Sequence, residues 1–229
     1  MSGLQRPQVA MILAAGRGDR MRPLTDDFPK PLLKAGDKPL IHYHLEGIAK
    51  AGIGRVVVNH AHLGAMIEAD LGDGSRWGVR IEYSPEPPGA LETGGGIFNA
   101  LGRLGEGPFL VVNGDVWSNC NYADLAISDE DWAHLLLVEN PPHHRQGDFA
   151  LTRGRVHETG DELLTFAGIG VYRAALFQGC RAGAFPLAPL LRTAMREGRV
   201  SGARLLGAWT DVGTPERLRQ LDLELRQGR

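Results

Sequence analysis

Val9-Ala10-Met11-Ile12-Leu13 is an unbroken apolar run that passes directly into Ala14-Ala15-Gly16-Arg17-Gly18. A strand apolar at every position, without alternation, has both faces covered. That is the condition of an inner strand in a parallel sheet flanked by helices. A glycine loop at the carboxyl end of such a strand lets backbone N–H groups approach an anion without side-chain obstruction. Open α/β sheets bind their ligands at that end. Two familiar phosphate loops are excluded. A dinucleotide fingerprint needs a third glycine where Met21 stands, and a P-loop needs Gly-Lys-Ser/Thr, which the segment lacks.

The rest of the chain continues the α/β pattern. Between Pro39 and Ala51, Ile41, Leu45 and Ile48 recur at helical spacing, with Gly52 as a stop. Val56-Val57-Val58 marks a strand over Arg55 to Asn59. Leu63, Met66, Ile67 and Leu71 predict a short helix, and Val79 to Tyr83 a strand. After the loop Pro85 to Gly89, Glu92-Thr93-Gly94-Gly95-Gly96 leads into a helix carrying Ile97, Ala100, Leu101 and Leu104. Phe109 to Val112 is a buried strand that ends at Asn113-Gly114-Asp115. This alternation predicts βαβ units and a mostly parallel sheet.

Beyond His134 to Val138 the order changes. A loop, Asn140 to Asp148, and β-like pieces at Phe149 to Thr152 and Leu164 to Tyr172 predict a small lobe against the sheet. A helix from Leu187 to Gly198, a strand over Leu205 to Trp209 and a last helix from Pro215 complete the reading. Thr214 is placed to cap that helix, and Leu218, Leu221 and Leu225 form its apolar stripe. A length of 229 residues fits a single domain over 1–229.

A formal net charge of −2 argues against a nucleic-acid partner, which would call for a basic excess. Val9 to Ala15 is too short to span a bilayer, and the residues before it lack the apolar core of a signal peptide. Cys120 and Cys180 form no CxxC pair and read as thiols in a reducing compartment. The expectation is a cytoplasmic protein without a membrane or nucleic-acid partner, either a monomer or a small homo-oligomer.

Arg17, Arg20, Arg22 and Lys30 fall in one short non-helical segment beside the glycines, a cation density suited to polyphosphate. The full string, Leu13-Ala14-Ala15-Gly16-Arg17-Gly18-Asp19-Arg20-Met21-Arg22-Pro23-Leu24-Thr25 and then Pro29-Lys30-Pro31-Leu32, resembles the signature of the sugar nucleotidyltransferases. Asn113-Gly114-Asp115 resembles that family's strand-end Gly-Asp, and Trp209-Thr210-Asp211-Val212-Gly213-Thr214-Pro215 its C-terminal block. Glu92-Thr93-Gly94-Gly95 stands where the family places its base-recognition loop.

The resemblance implies a Rossmann-like three-layer sandwich with a mixed, mostly parallel central sheet and a small β-containing sugar-binding lobe. It also implies an enzyme that joins a nucleoside triphosphate to a sugar 1-phosphate and releases pyrophosphate, using Mg²⁺ held by Asp115 and Asp211. Arg20 and Lys30 are then the catalytic cations. Leu13, Ala14, Ala15, Gly16, Gly18, Lys30, Glu92, Thr93, Gly94 and Asn113 are the nucleotide contacts. Asp148, Glu158 and Gly168 are the sugar contacts. The family's usual Glu-Lys-Pro motif is not matched: the comparable stretch reads Val156-His157-Glu158-Thr159-Gly160, without the lysine. The blocks Leu91 to Ile97, Val112 to Trp117 and Phe185 to Leu191 are most similar to those of a uridylyltransferase branch, although glucose, mannose and other sugars with UTP, dTTP, GTP or CTP stay open.

Two readings of other classes compete. A catalytically silent nucleotide-sugar sensor would have lost one of Arg20, Lys30, Asp115 or Asp211, and all four are present. A transition-metal protein would need three or four ligands, which the pairs His42/His44, His60/His62 and His143/His144 do not supply without acid or thiol partners.

Overall fold

In the computed structural model, Val9–Leu13 (β1) lies inside a nine-stranded sheet and is apolar because both of its faces are covered. The other strands are Arg55–His60 (β2), Arg80–Pro85 (β3), Phe109–Asn113 (β4), Ala133–Val138 (β5), Ala150–Thr152 (β6), Arg155–His157 (β7), Thr165–Tyr172 (β8) and Val200–Arg204 (β9). Their order is β6-β7-β9-β5-β8-β4-β1-β2-β3. β1 pairs in parallel with β2 and β4, β2 with β3, and β5 with β9. β7 and β8 are reversed and supply the antiparallel pairings of a mixed sheet. The model describes residues 3–228, so the expected span of 1–229 includes Met1, Ser2 and Arg229, which lie outside the described residues.

Helices Leu40–Lys50 (α1) and Gly64–Leu71 (α2) cover one face, and Glu92–Leu104 (α3) and Ala188–Arg196 (α4) the other. Alternate residues of β1 divide between the two layers. Ala10 and Ile12 pack with Ile41, Leu45 and Ile48 of α1, whereas Val9 and Met11 pack with Ile97 and Ala100 of α3. A third apolar cluster joins Pro215–Arg226 (α5) to the loop after β1, through Leu218, Leu221, Val212, Met21 and Leu40. Thr214 caps α5 by accepting the Arg217 amide at 3.3 Å, and Pro215 takes the first helical position, where its missing N–H costs nothing.

Three expectations are revised. The middle region with β character does not stand apart as a lobe, because the hairpin β6–β7 extends the main sheet through the pairing of Arg155 with Ser201. The strand expected over Leu205 to Trp209 is instead two strands, β9 and Trp209–Asp211, on either side of a turn. Gly207 (φ 123°) makes that turn, and Asn119 holds it by accepting the Ala208 amide at 2.8 Å. The glycines Gly94 to Gly96 do not precede α3 but form its first turns. Close packing requires them there: a Cβ on Gly94 would lie 2.6 Å from the Phe185 ring, and one on Gly96 would lie 2.6 Å from Glu86 Oε1.

His44, on α1, is buried against Tyr122, whose hydroxyl lies 3.0 Å from Nδ1. Desolvation lowers its pKa to about 4. Protonation therefore favours the unfolded chain. The contribution is intact above the unfolded value near 6.5 and is lost as the pH falls from there toward 4. Between pH 7 and pH 5 this single group should cost about 2 kcal/mol of stability. Urea midpoints at the two pH values should separate more for the wild type than for His44→Gln, and equal separations would contradict the assignment.

Candidate active site

The site is built where β1 and β4 end side by side. Leu13 pairs with Asn113, and the Gly114 amide donates to the Leu13 carbonyl at 2.9 Å. A Cβ on Gly114 would sit 2.6 Å from that carbonyl oxygen, so only glycine lets the two strand ends approach so closely. Around them opens a cleft of about 470 Å³, within the usual size of ligand sites.

The loop after β1 forms one wall of this cleft. Leu13, Ala14, Ala15, Gly16, Gly18 and Arg20 all line it. Gly18 has φ 72°, and its carbonyl accepts the Thr25 hydroxyl at 2.9 Å. Gly16 is different: nothing lies within 4 Å of a Cβ built on it. The fold does not require a glycine there, whereas close approach of a ligand to the backbone would.

The four cations of the segment separate. Arg17 donates to Asp26 at 2.9 Å and to the Thr25 carbonyl, and Arg22 pairs with Asp26 at 3.3 Å, so both hold the loop together. Arg20 and Lys30 face the cleft. Lys30 is nearly buried (side chain 9% exposed), and its Nζ donates to Asp115 Oδ2 at 2.7 Å. A buried ammonium is tolerable only with such a partner.

Glu92, Thr93, Asn113 and Asp115 also line the cleft. Gly94 does not. It lies buried behind the wall, in the first turn of α3 against Phe185. Asp211 stands behind Asp115: the Val212 amide donates to the Asp115 carbonyl at 2.9 Å, and Asp211 pairs with Val116 in a two-stranded ribbon. Its Oδ2 accepts from Arg217 Nη1 at 2.8 Å and lies 3.2 Å from His143 Nε2. Among the described residues no group of three or more His, Cys, Asp or Glu side chains is gathered as a metal cage. Of the two carboxylates, Asp115 lines the cleft and Asp211 does not. A hard cation that takes one or two protein oxygens and completes its shell with other oxygens is the kind such carboxylates suit.

The expected sugar contacts scatter. Asp148 lines a second cavity of about 260 Å³ that shares Thr93 and Asn113 with the first. Its Oδ2 accepts the Phe166 amide at 2.8 Å and its Oδ1 lies 3.0 Å from His144 Nε2. Glu158 is not brought to either cavity. Its carboxylate is paired with Arg196 at 3.2 Å and Arg192 at 3.7 Å on α4. Gly168 (φ 71°) lies under Asn113, where a Cβ would come within 2.7 Å of Nδ2, and neither cavity is lined by it.

Sequence reasoning missed Asn59 and Glu86, which also line the cleft. Asn59 Oδ1 accepts the Ala14 amide at 2.8 Å and its Nδ2 donates to Glu86 Oε1 at 2.6 Å, while Glu86 Oε2 accepts the Leu91 amide at 2.7 Å. This buried relay fixes the loop after β1 against the start of α3. The signal available was a polar residue closing the apolar run Val56-Val57-Val58. Arg217 was also missed. A cation in the first turn of a helix faces the positive end of the dipole, which makes sense once Asp211 is seen beside it.

A mixed sheet with helices on both faces, and a glycine loop, the cations Arg20 and Lys30 and the carboxylates of Asp19, Glu86, Glu92 and Asp115 around one cleft at its strand ends, is the arrangement of an α/β nucleotide-binding protein. The chain belongs to the nucleotidyl transferase family, whose model matches residues 9–149. It is 53% identical over 220 residues to an N-acetylmuramate alpha-1-phosphate uridylyltransferase of Neisseria meningitidis, covering 92% of this chain and 95% of the relative. It is 35% identical to a protein of the same description from Caulobacter vibrioides, covering 93% and 94% of the two chains. A Bacillus anthracis protein assigned as a glucose-1-phosphate thymidylyltransferase, solved with sucrose, shares the fold with a TM-score of 0.82 at 20% identity, covering 95% of this chain and 94% of its own.

The two loop glycines should respond differently to alanine. Gly18→Ala forces a left-handed alanine and should cost about 1–2 kcal/mol of stability. Gly16→Ala should leave the melting temperature within about 2 °C while weakening nucleotide binding at least about tenfold. Calorimetric titration with UTP beside thermal melts tests this, and a Gly16→Ala protein with unimpaired UTP affinity would contradict it.

Proposed function

We propose that this chain transfers a uridylyl group from UTP to N-acetylmuramate 1-phosphate, giving UDP-N-acetylmuramate and pyrophosphate. It acts as one domain over 1–229, in the cytoplasm, in the recycling of cell-wall sugars. The observation that carries this reading is the convergence of Gly16, Gly18, Arg20, Lys30 and Asp115 on one cleft. The near full-length identity to enzymes described by that reaction supports the choice of substrates. No helix among the described residues is long and apolar enough to cross a membrane.

The reaction is an in-line displacement. An oxygen of the sugar 1-phosphate attacks the α-phosphorus of UTP, the bond from that phosphorus to the β-phosphate bridging oxygen breaks, and pyrophosphate leaves with the electron pair. The attacking oxygen is already anionic, so no general base is needed. What the protein must do is bring two polyanions together and hold them in line. The amides of the loop after β1 receive the triphosphate. Arg20 holds the leaving β- and γ-phosphates, and Lys30 steadies the charge that builds at the α-phosphate. Asp115 and Asp211 are the carboxylates that would hold Mg²⁺, which supplies further neutralisation of the phosphates when bound. Thr93, at the start of α3, and the backbone of Ala14 and Ala15 face the base.

Removal of one preorganised charge donor commonly costs ~10²–10³ in turnover. Lys30→Ala and Arg20→Ala should each lose that much kcat while melting near the wild-type temperature. The substrate assignment is tested by pyrophosphate release with UTP, dTTP, GTP, CTP and ATP against several sugar 1-phosphates. UTP with N-acetylmuramate 1-phosphate should give the highest kcat/KM, and a better rate with another pair would sink the assignment. A folded protein that binds nucleotide yet turns over no pair would be a sensor.

A further inference from the structure

Glu86 is out of place by charge. It lines a cleft suited to polyphosphate, where a carboxylate works against the ligand, and it is buried there beside Asn59. Both of its oxygens are taken by internal donors: Oε1 accepts Asn59 Nδ2 at 2.6 Å, and Oε2 accepts the Leu91 amide at 2.7 Å. Asn59 Oδ1 completes the chain by accepting the Ala14 amide at 2.8 Å. Asparagine suits this position because one side of its amide group accepts and the other donates. The packing makes room for the relay: a Cβ on Gly96 would come within 2.6 Å of Glu86 Oε1 and 2.9 Å of Asn59 Nδ2.

The relay ends on a turn that would not hold itself. Ala90 (φ 58°) and Glu92 (φ 56°) are left-handed, a conformation rare for residues with a Cβ. Such backbone persists where its surroundings over-determine it. Leu91, between them, is held from both sides: Glu86 accepts its amide, and its carbonyl accepts the Phe185 amide at 3.1 Å. Ala90 and Glu92 line the cleft, as do Ala14 and Ala15 at the other end of the relay. We propose that Asn59 and Glu86 are positioning residues that fix these two segments against each other in the form that receives the nucleotide. They act through Ala14 and Leu91 and do not need to touch the ligand. The inference rests on the reaction proposed above, with UTP as the nucleotide.

The polarity of the relay allows a swap test. Asn59→Asp sets two carboxylates against each other. Glu86→Gln turns a side-chain N–H toward either Asn59 Nδ2 or the Leu91 amide, both donors. Together the two changes restore every bond. The new carboxylate accepts from the Ala14 amide and from the new side-chain amide, whose oxygen accepts the Leu91 amide. Calorimetric titration of each folded variant with UTP reads the effect, beside thermal melts and KM for both substrates. Each single variant should weaken UTP at least ~10-fold, the scale of one hydrogen bond to a charged group. KM for UTP should rise in step, and KM for the sugar 1-phosphate should stay within about threefold. The double variant should bind UTP within about threefold of the wild type. Asn59→Ser, which removes the link without adding a charge, replaces Asn59→Asp should that variant not fold. Single variants that melt lower yet bind UTP as the wild type does would reduce the relay to a support of the fold and overturn the inference. A double variant as weak as the single ones would also overturn it, because the charge of Glu86 would then act on the nucleotide directly. Binding is read without turnover, so the relay can fail here while the proposed reaction stands. A wild-type protein that does not bind UTP would overturn both.

Discussion

Leu13 and Asn113 sit side by side at the ends of two parallel strands, and the Gly114 amide closes the gap by donating to the Leu13 carbonyl at 2.9 Å. This short link sets the distance between the glycine loop that follows β1 and the carboxylate that follows β4. A bulkier residue at 114 would push the Leu13 carbonyl away and carry the loop with it. The parallel pairing also aims both segments the same way, out of the carboxyl edge of the sheet. Lys30, 85 positions before Asp115, reaches it only because α1 and the loop before it fold back over that edge.

The charges at this edge are arranged in opposed pairs. Lys30 faces Asp115 within the cleft, and Arg217 with His143 faces Asp211 behind it. Each carboxylate that would hold a divalent cation has a protein cation beside it. The pairing makes burial of these groups tolerable and leaves Arg20 on the exposed lip of the cleft. Arg17 and Arg22, which lie beside Arg20 in the sequence, serve to fasten the loop to Asp26.

The parts of the fold that were legible in sequence are those where one local rule decides the outcome. β1 and the helices α1 and α5 could be read because a buried strand and an amphipathic helix each impose a short-range pattern. Thr214 and Pro215 mark the start of α5 for the same reason. Where long-range packing decides, the local pattern misleads. Three consecutive glycines look like a loop, yet Gly94 to Gly96 lie within α3, and two of these helical positions are glycine because Phe185 and Glu86 leave no room for a Cβ on Gly94 and Gly96. Leu205 to Trp209 has strand-like residues, but Asn119 anchors a turn through it. The site follows the same division. Its loop and strand-end residues were readable as motifs, whereas the Asn59–Glu86 relay and the capture of Glu158 by Arg192 and Arg196 depend on contacts between distant segments.

The central claim is that the triphosphate lies on the loop after β1 between Lys30 and Asp115. A crystal structure with a non-hydrolysable UTP analogue and Mg²⁺ tests it most directly. The account predicts phosphate oxygens within hydrogen-bond reach of the Gly16 to Gly18 amides, Lys30 turned from Asp115 toward phosphate, and Asp115 among the metal ligands. Phosphates bound elsewhere, with the Lys30–Asp115 pair still closed at 2.7 Å, would contradict it.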